Sequence, residues 1–483
     1  SEMIGEPVES SSGAYYTEVT DLKLEDLGGT FALERRYFST VTHSGVMGKG
    51  WSFSYDSVLR RAKEDGSEIY VDTVTGQQLL FRREGENWQI VSKGCSWFFL
   101  SYEEEQKRWC LANRKDHTNC FYNERGQLER IEDKNEEATR FFYEGERLSQ
   151  IVTPLGKRIW VTWNEQKIAS FRDESGRVVT YQYEGELLTA VIHVNEGVME
   201  YGYDANGYLN QIIDQNGKKF LRNEYDREGR IKKQYLSNGE YYTMSYDLSK
   251  KKTTVYYSGL DREDVVSYNA ERLPIQIEHG DGTKESYEYE EGYRTKKKDK
   301  RGNETKWSYD AFGRVRTEHF ADGYEKYYEY DEQDDLVKEW DNEQEALWYE
   351  YDAHHNKIKE IQQVREGKVR ERRYAYDRRG RLRKSTNALG VSTIYQYHPN
   401  EGAPYYVKNG KGEETYYEYD ILGRRVAVKN AYGRVEYGYN QKNLVTSYKD
   451  GEGNESHKLY DRLDNLIVYY PPKAWKEKSK GWH

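Results

Sequence analysis

The stretch Trp307-Ser308-Tyr309-Asp310-Ala311-Phe312-Gly313-Arg314 decides the fold. Large aromatics alternate through Trp307 and Tyr309, the period-2 mark of a strand. Asp310 then opens a turn, because its carboxylate accepts backbone N–H bonds from the residues just ahead. Gly313 supplies the positive φ that the turn needs before the chain reverses. The same wording returns at Tyr225-Asp226 with Gly229-Arg230, at Tyr376-Asp377 with Gly380-Arg381, and at Tyr419-Asp420 with Gly423-Arg424.

Looser copies fill the spaces between, at Tyr203-Asp204, Tyr246-Asp247, Tyr268-Asn269, Tyr289-Glu290, Tyr330-Asp331, Tyr351-Asp352, Tyr397-His398, Tyr439-Asn440 and Tyr460-Asp461. Successive tyrosines stand 20 to 22 residues apart, with one interval of 25 between Tyr351 and Tyr376. Weaker copies run backwards through Tyr183-Glu184, Trp163-Asn164, Tyr143-Glu144, Tyr122-Asn123, Tyr102-Glu103 and Phe81-Arg82. A fixed period of this length marks a repeat architecture. Each unit reads as a strand, an Asp-led turn, a second strand and another glycine turn such as Asp214 to Gly217 or Asn387 to Gly390. Where the first glycine is replaced, Asp334, His355, Asn443 and Asp464 stand in, residue types that tolerate positive φ. Lys250 fits no such rule. Units with glycine earlier, at Gly145 and Gly185, predict a tighter turn.

Composition fits a thin sheet. The 483 residues are 36% hydrophobic and 33% charged, too polar for several thick two-layer cores, yet 15% aromatic with 47 tyrosines, which separates the chain from disordered ones. Tyrosine gives an apolar body with a tip that accepts water. The net charge of −10 argues against a general nucleic-acid binder. The longest apolar runs, such as Trp97-Phe98-Phe99-Leu100, fall far short of a membrane span. Ser1-Glu2-Met3 shows neither the basic flank nor the apolar stretch of a signal peptide, and Ser1-Glu2 reads as a cloning remnant that replaced any native targeting. Cys95, Cys110 and Cys120 have no metal spacing and read as buried free thiols, with a Cys110–Cys120 disulfide as the alternative.

The four Tyr-Asp-x-x-Gly-Arg units resemble the repeat of the Rhs / YD-repeat family, which includes bacterial polymorphic toxins, the BC component of Tc toxins and the shell of teneurins. Gly5-Glu6-Pro7-Val8, Asp21-Leu22, Arg36-Tyr37-Phe38-Ser39 and Gly48-Lys49-Gly50-Trp51 resemble the segment that introduces the repeats in bacterial members. The resemblance implies an all-β hairpin spiral wrapped into a hollow shell. On this reading residues 1–60 are the introductory segment, 61–468 the tandem repeats and 469–483 a tail. About 36 strands at ~4.8 Å would close a ball of only ~18 Å radius. A 100-residue domain already fills a sphere of ~17 Å. The expectation is an open or partial shell with an accessible inner surface. A β-propeller, with two units per blade, is the competing fold; neighbouring units do not alternate as blades require.

No catalytic constellation stands out: there is no phosphate loop, no His-Glu-x-x-His and no Gly-x-Ser-x-Gly. His354-His355 reads as part of a turn, and Asp331, Asp334 and Asp335 as a solvated acidic turn rather than a calcium loop. No catalytic, cofactor or metal residue is assigned. The tail lacks the family's Gly-Arg-Phe…Asp-Pro ending, so neither its self-cleavage nor an effector is expected within this chain. The leading functional reading is a non-catalytic, secreted or cell-surface scaffold that encloses or presents a C-terminal toxin, or pairs with a missing shell segment. The alternatives are a binding protein for glycans or cell-surface proteins, and a glycan-active enzyme. Open sheet edges predict capping by the tail or self-association.

Overall fold

The computed structural model describes residues 3–4, 8–343, 345–364 and 367–473. One antiparallel sheet of 36 strands runs from Phe98–Glu103 to Leu466–Tyr470, each strand paired with its neighbours in chain order. Smaller sheets precede it: the long hairpin Tyr16–Asp26 with Gly29–Phe38, extended by Trp51–Phe53, and a four-stranded sheet over residues 58–90. There are no radial blades, and among the described residues no helix is long and apolar enough to cross a membrane. The segment Gly5-Glu6-Pro7 and the tail beyond Lys473, expected to cover the final strand, lie outside the described residues.

The repeat unit is a hairpin with a built-in shift. Tyr309 pairs with Val315 while Ser308 pairs with Thr317, so the return strand carries one extra residue. Such bulges strengthen the twist of a ribbon. The turn geometry follows the sequence: Asp310 Oδ1 accepts N–H bonds from Phe312 at 2.9 Å and Arg314 at 3.0 Å. Asp334, His355, Asn443 and Asp464 all take positive φ in the glycine slot. The Lys250 exception has a simple cause. Asp247 pairs directly with Lys252 without a shift, which leaves a longer loop whose left-handed residue is Lys251. The tighter turns are two-residue loops, as between Glu144 and Arg147.

All the Tyr-Asp turns lie along one edge of the ribbon and the second turns along the other. Twist and curvature then bring distant units together. Asn135 bonds Asn356, 221 residues away, and Asn195 bonds the Arg462 carbonyl, 267 residues away. One circuit is therefore about 23 strands, which at ~4.8 Å gives a radius of ~18 Å. The ribbon completes one coil and part of a second without closing. At the seam, second-type turns of the first coil (residues 114–117, 133–137, 173–177 and 193–197) meet Tyr-Asp turns of the second (331–335, 352–356, 440–444 and 461–465).

The leading segment fills the first coil. It touches strands from Tyr122 to Tyr246: Ser57 reaches the Tyr122 hydroxyl at 2.7 Å, Phe53 packs on Phe171, and Trp51 on Tyr201. The phenol of Tyr246 lies against Gly13. A single short segment reaches so many strands only from the concave side. Its backbone also docks on the Tyr-Asp edge, with Lys49 N–H donating to Glu186 O at 2.8 Å and Leu59 N–H to Gly126 O at 2.9 Å. The core is this contact, with Val8, Leu33, Tyr37, Met47, Ile159, Phe171 and Val179 all buried.

The three cysteines are free, and Cys95 and Cys110 are buried. Leu111, not Cys110, is the partner of Cys120, so the two thiols point to opposite faces and the alternative disulfide is not formed. Burial pushes the Cys95 thiol up to about 11. An aromatic disulfide reagent at pH 8 is expected to titrate no thiol in the folded chain and three after denaturation; fast reaction of a native thiol contradicts the packing described.

Two glycine substitutions test the docking of the leading segment. Gly217 and Gly229 both have φ near +80°, but a Cβ at Gly217 meets nothing within 4 Å, whereas at Gly229 it would lie 2.4 Å from Ser39 O. Gly217→Ala is expected to cost ~1 kcal/mol from backbone strain alone and Gly229→Ala at least ~2 kcal/mol. Equal shifts in thermal midpoint would refute the contact.

Candidate functional site

The four strongest repeat motifs share one geometry. In each, the aspartate holds the arginine four residues on: Arg230 Nε to Asp226 at 2.6 Å, and Arg314, Arg381 and Arg424 to Asp310, Asp377 and Asp420, each at 2.7 Å. Gly229, Gly313, Gly380 and Gly423 provide the positive φ of the turn. The guanidinium then lies over the tyrosine ring of the next unit: Arg230 on Tyr246, Arg314 on Tyr330, Arg381 on Tyr397 and Arg424 on Tyr439, at 4.5 to 5.0 Å. Aspartate orients arginine, and arginine joins one hairpin to the following one.

The tyrosine tip completes the junction. Tyr309 donates its hydroxyl to Arg294 O at 2.6 Å, Tyr330 to Val315 O at 3.0 Å, Tyr351 to Leu336 O at 2.6 Å and Tyr460 to Val445 O at 2.7 Å. Tyr225, Tyr376 and Tyr419 do the same to Leu209, Lys357 and Pro404. The acceptor lies at or near the start of the previous unit's return strand, in most units beside the register shift. Trp163 substitutes its indole N–H, to Leu148 O at 2.8 Å. The ladder of the Tyr397 hairpin stays unshifted to Gln396–Tyr406, and Tyr419 still reaches Pro404 O. The units of Tyr102 and Tyr246 also pair without the shift, and there the following tyrosines differ: Tyr122 turns to Ser57, and Tyr268 makes no such bond among the described residues.

A continuous face of the ribbon can be followed through the register from the packed core into the second coil. Val266 pairs with Ile277 and Ile277 with Glu285; further on Trp307 pairs with Glu318, Tyr328 with Glu339 and Tyr349 with Glu360. Along the first coil this concave face mixes aliphatic residues with Phe141, Phe171, Tyr181 and Tyr201 and is covered. Along the second it becomes a half-buried row of aromatics, Trp307, Tyr328, Tyr349, Tyr374, Tyr395, Tyr417 and Tyr437, of which the first three face glutamates and the rest Ser385, Val407, Val428 and Tyr448. Glu318 accepts from Tyr328 at 3.0 Å and from the Trp307 indole at 3.3 Å. Burial and the neighbouring Glu339 hold the Tyr349 phenol protonated, well above its ordinary range.

The interior of the first coil carries a fixed charge. Arg35, wholly buried, is clamped by Asp21 at 2.8 and 3.0 Å and bonded to the Tyr201 hydroxyl at 3.0 Å, while Tyr181 donates to Asp21 at 2.6 Å. The arrangement satisfies both ions, as burial of an ion pair demands. Arg177 ties the seam, reaching Asp173 at 2.8 Å, Gln441 O at 3.0 Å and Lys23 O at 2.9 Å. Asp335 departs from the expected solvated turn. It stands where four other units carry arginine, faces the first coil and is buried, with His117 Nε2 at 3.0 Å and His355 Nδ1 at 2.9 Å from its two oxygens. Sequence reading could not find His117, which lies 218 residues before Asp335 and outside the Tyr-Asp register.

Comparisons with known proteins agree with this architecture. The model of a domain of unknown function (DUF6531) matches residues 5–81, and the Teneurin YD-shell model matches residues 111–230. The chain is 26% identical over 273 residues to the tRNA nuclease WapA of Bacillus subtilis, covering 55% of this chain and 11% of that protein. It is 24% identical over 356 residues to the probable deoxyribonuclease RhsB of Dickeya dadantii, covering 68% of this chain and 23% of that one. The chain thus spans a quarter or less of these curated relatives. Among solved structures, the TcdB2-TccC3 crystal structure superposes with a TM-score of 0.55 at 12% identity, over 95% of this chain and 28% of that one. A Tc holotoxin pore from Photorhabdus luminescens gives 0.54 at 12% identity over 92% of this chain and 26% of that one.

The rule for the tyrosine tip can be tested directly. Tyr330→Phe removes one partly buried hydrogen bond and is expected to cost ~1 kcal/mol, whereas Tyr268→Phe, which removes no such bond, is expected to be near neutral. Urea midpoints measure both, and equal losses would sink the rule. A second test concerns His193, buried with neither ring nitrogen hydrogen-bonded. Burial lowers it from 6.5 to about 4. Its folded form resists the proton, so stability is full above pH 6.5 and falls as pH drops toward 4. His193→Asn is expected to flatten that part of the pH–stability curve; an unchanged slope would contradict it.

With its tyrosine-aspartate hairpins, its coiled 36-stranded sheet and its Teneurin YD-shell and Rhs matches agreeing, the chain is similar to the proteins of the Rhs/YD-repeat family.

Proposed function

We propose that this chain is the non-catalytic scaffold of a polymorphic toxin, a β-shell whose concave surface encloses or presents a C-terminal effector outside the producing cell. The observation that carries this reading is the change of the inner face along the ribbon. The leading segment covers and buries the apolar face of the first coil, whereas the second coil offers a half-buried lining rich in tyrosine, with tryptophan and glutamate at its start. Aromatic rings with polar tips hold an irregular polypeptide without needing a fixed shape, because each supplies apolar area and a hydrogen bond together. In this reading residues 1–60 plug and brace the first coil, 61–468 form the wall and 469–483 are a C-terminal tail. The nuclease names of the relatives refer to proteins at least four times longer than the matched part, and the motif residues here are bound up in holding hairpins together.

The complete gene product tests the proposal. Any segment following His483 is expected to resist trypsin while the shell is folded, and to be digested at least ten times faster when expressed alone. Equal rates would refute enclosure. Residues 1–483 are expected to leave tRNA and duplex DNA intact with magnesium present; cleavage lost on a single carboxylate substitution would overturn the non-catalytic assignment.

A further inference from the structure

We propose that His117, Asp335 and His355 form a binding site for a divalent first-row transition-metal ion, zinc foremost, which ties the first coil of the ribbon to the second. His117 lies in a turn of the first coil; Asp335 and His355 lie in successive Tyr-Asp turns of the second. Their ligand atoms all lie within 4.8 Å of one another. The two imidazoles stack at 3.6 Å with planes 8° apart, and each aims one nitrogen at a different oxygen of the same carboxylate, at 3.0 and 2.9 Å. Donors held 2.0–2.1 Å from a tetrahedral ion stand ~3.3 Å apart. A small spreading of the three side chains therefore admits an ion.

Among the Tyr-Asp turns, this is where the arginine slot holds an acidic residue. Asp335 replaces the arginine that Arg230, Arg314, Arg381 and Arg424 supply, which reverses the charge of that slot. His355 replaces the glycine, at φ 64°, and His117 takes φ 60° in its own turn. Left-handed backbone is uncommon for any residue with a Cβ, and here two of them present imidazoles to one buried carboxylate. Asp334 is not a competing ligand, since Arg314 holds it at 3.0 Å and Arg114 at 3.4 Å. The side chains of His117 and His355 are 16% and 24% exposed against 6% for Asp335, so the open side of the triad faces water that can complete the coordination. Two imidazoles and one carboxylate suit zinc, copper, nickel or cobalt and are a poor set for calcium or magnesium, which take oxygen ligands.

The full chain, stripped with EDTA and dialysed, is to be titrated with zinc chloride by calorimetry beside His117→Asn and His355→Asn. Asparagine tolerates positive φ and occupies the same slot at Asn443, so the turns are retained, and circular dichroism checks the fold. The expected result is one saturable site in the unaltered chain, weakened at least tenfold in both variants, with no comparable binding of magnesium or calcium. Zinc is also expected to slow hydrogen exchange in residues 114–118 and 352–356 together. Equal affinity in all three folded chains, or no saturable binding below millimolar zinc, overturns the site. Protection confined to one of the two turns overturns the bridge.

Discussion

A bulged antiparallel pair leaves an extra residue on one strand, and a backbone carbonyl beside it wants a donor that the ladder does not supply. The structure meets that need with the hydroxyl of the next unit's tyrosine. This bond explains why the repeat specifies tyrosine rather than phenylalanine and why Trp163 is an acceptable substitute; Tyr122 and Tyr268, which follow unshifted hairpins, do without it. Each bond is worth only ~1 kcal/mol, but the wall is one sheet thick over much of its length. It cannot rely on a deep core there, and the same junction must be made again in nearly every unit.

The arginine of the motif works at the same joint from the side. Held by its own aspartate, it covers the ring whose hydroxyl points at the bulge, so anchor, ring and carbonyl form one connected piece. Most units without arginine retain the tyrosine bond and lose the cover. That difference is greatest in the first coil, where the leading segment packs against the tyrosines from within and takes over the shielding.

Hairpins, turns and the order of strands were legible in the sequence because each is decided within about twenty residues. Alternating aromatics, an Asx turn and a glycine at fixed offset allow little else. The seam was not legible. Which turn meets which depends on how much the accumulated twist curls the ribbon, a sum over more than twenty strands that no local pattern encodes. Asp335 therefore reads as a wet turn residue in the sequence and is buried in the fold, and His117 has no sequence mark at all. The placement of the leading hairpin on the concave side was likewise hidden, because its contacts with Phe171 and Tyr201 join residues more than a hundred positions apart.

The long interval between Tyr351 and Tyr376 shows where such a molecule tolerates change. Its surplus falls between Lys357 and Tyr376, and the phenol of Tyr376 still finds the Lys357 carbonyl at 2.7 Å. The two strands concerned, Lys357–Gln363 and Val369–Tyr376, are simply longer than their neighbours and project at the rim of the second coil that meets no further coil among the described residues. The opposite rim, pressed against the coil below, offers no such freedom. Length can thus drift on one margin while the other stays in step, so inheritance can remodel the mouth of the vessel and leave its winding untouched.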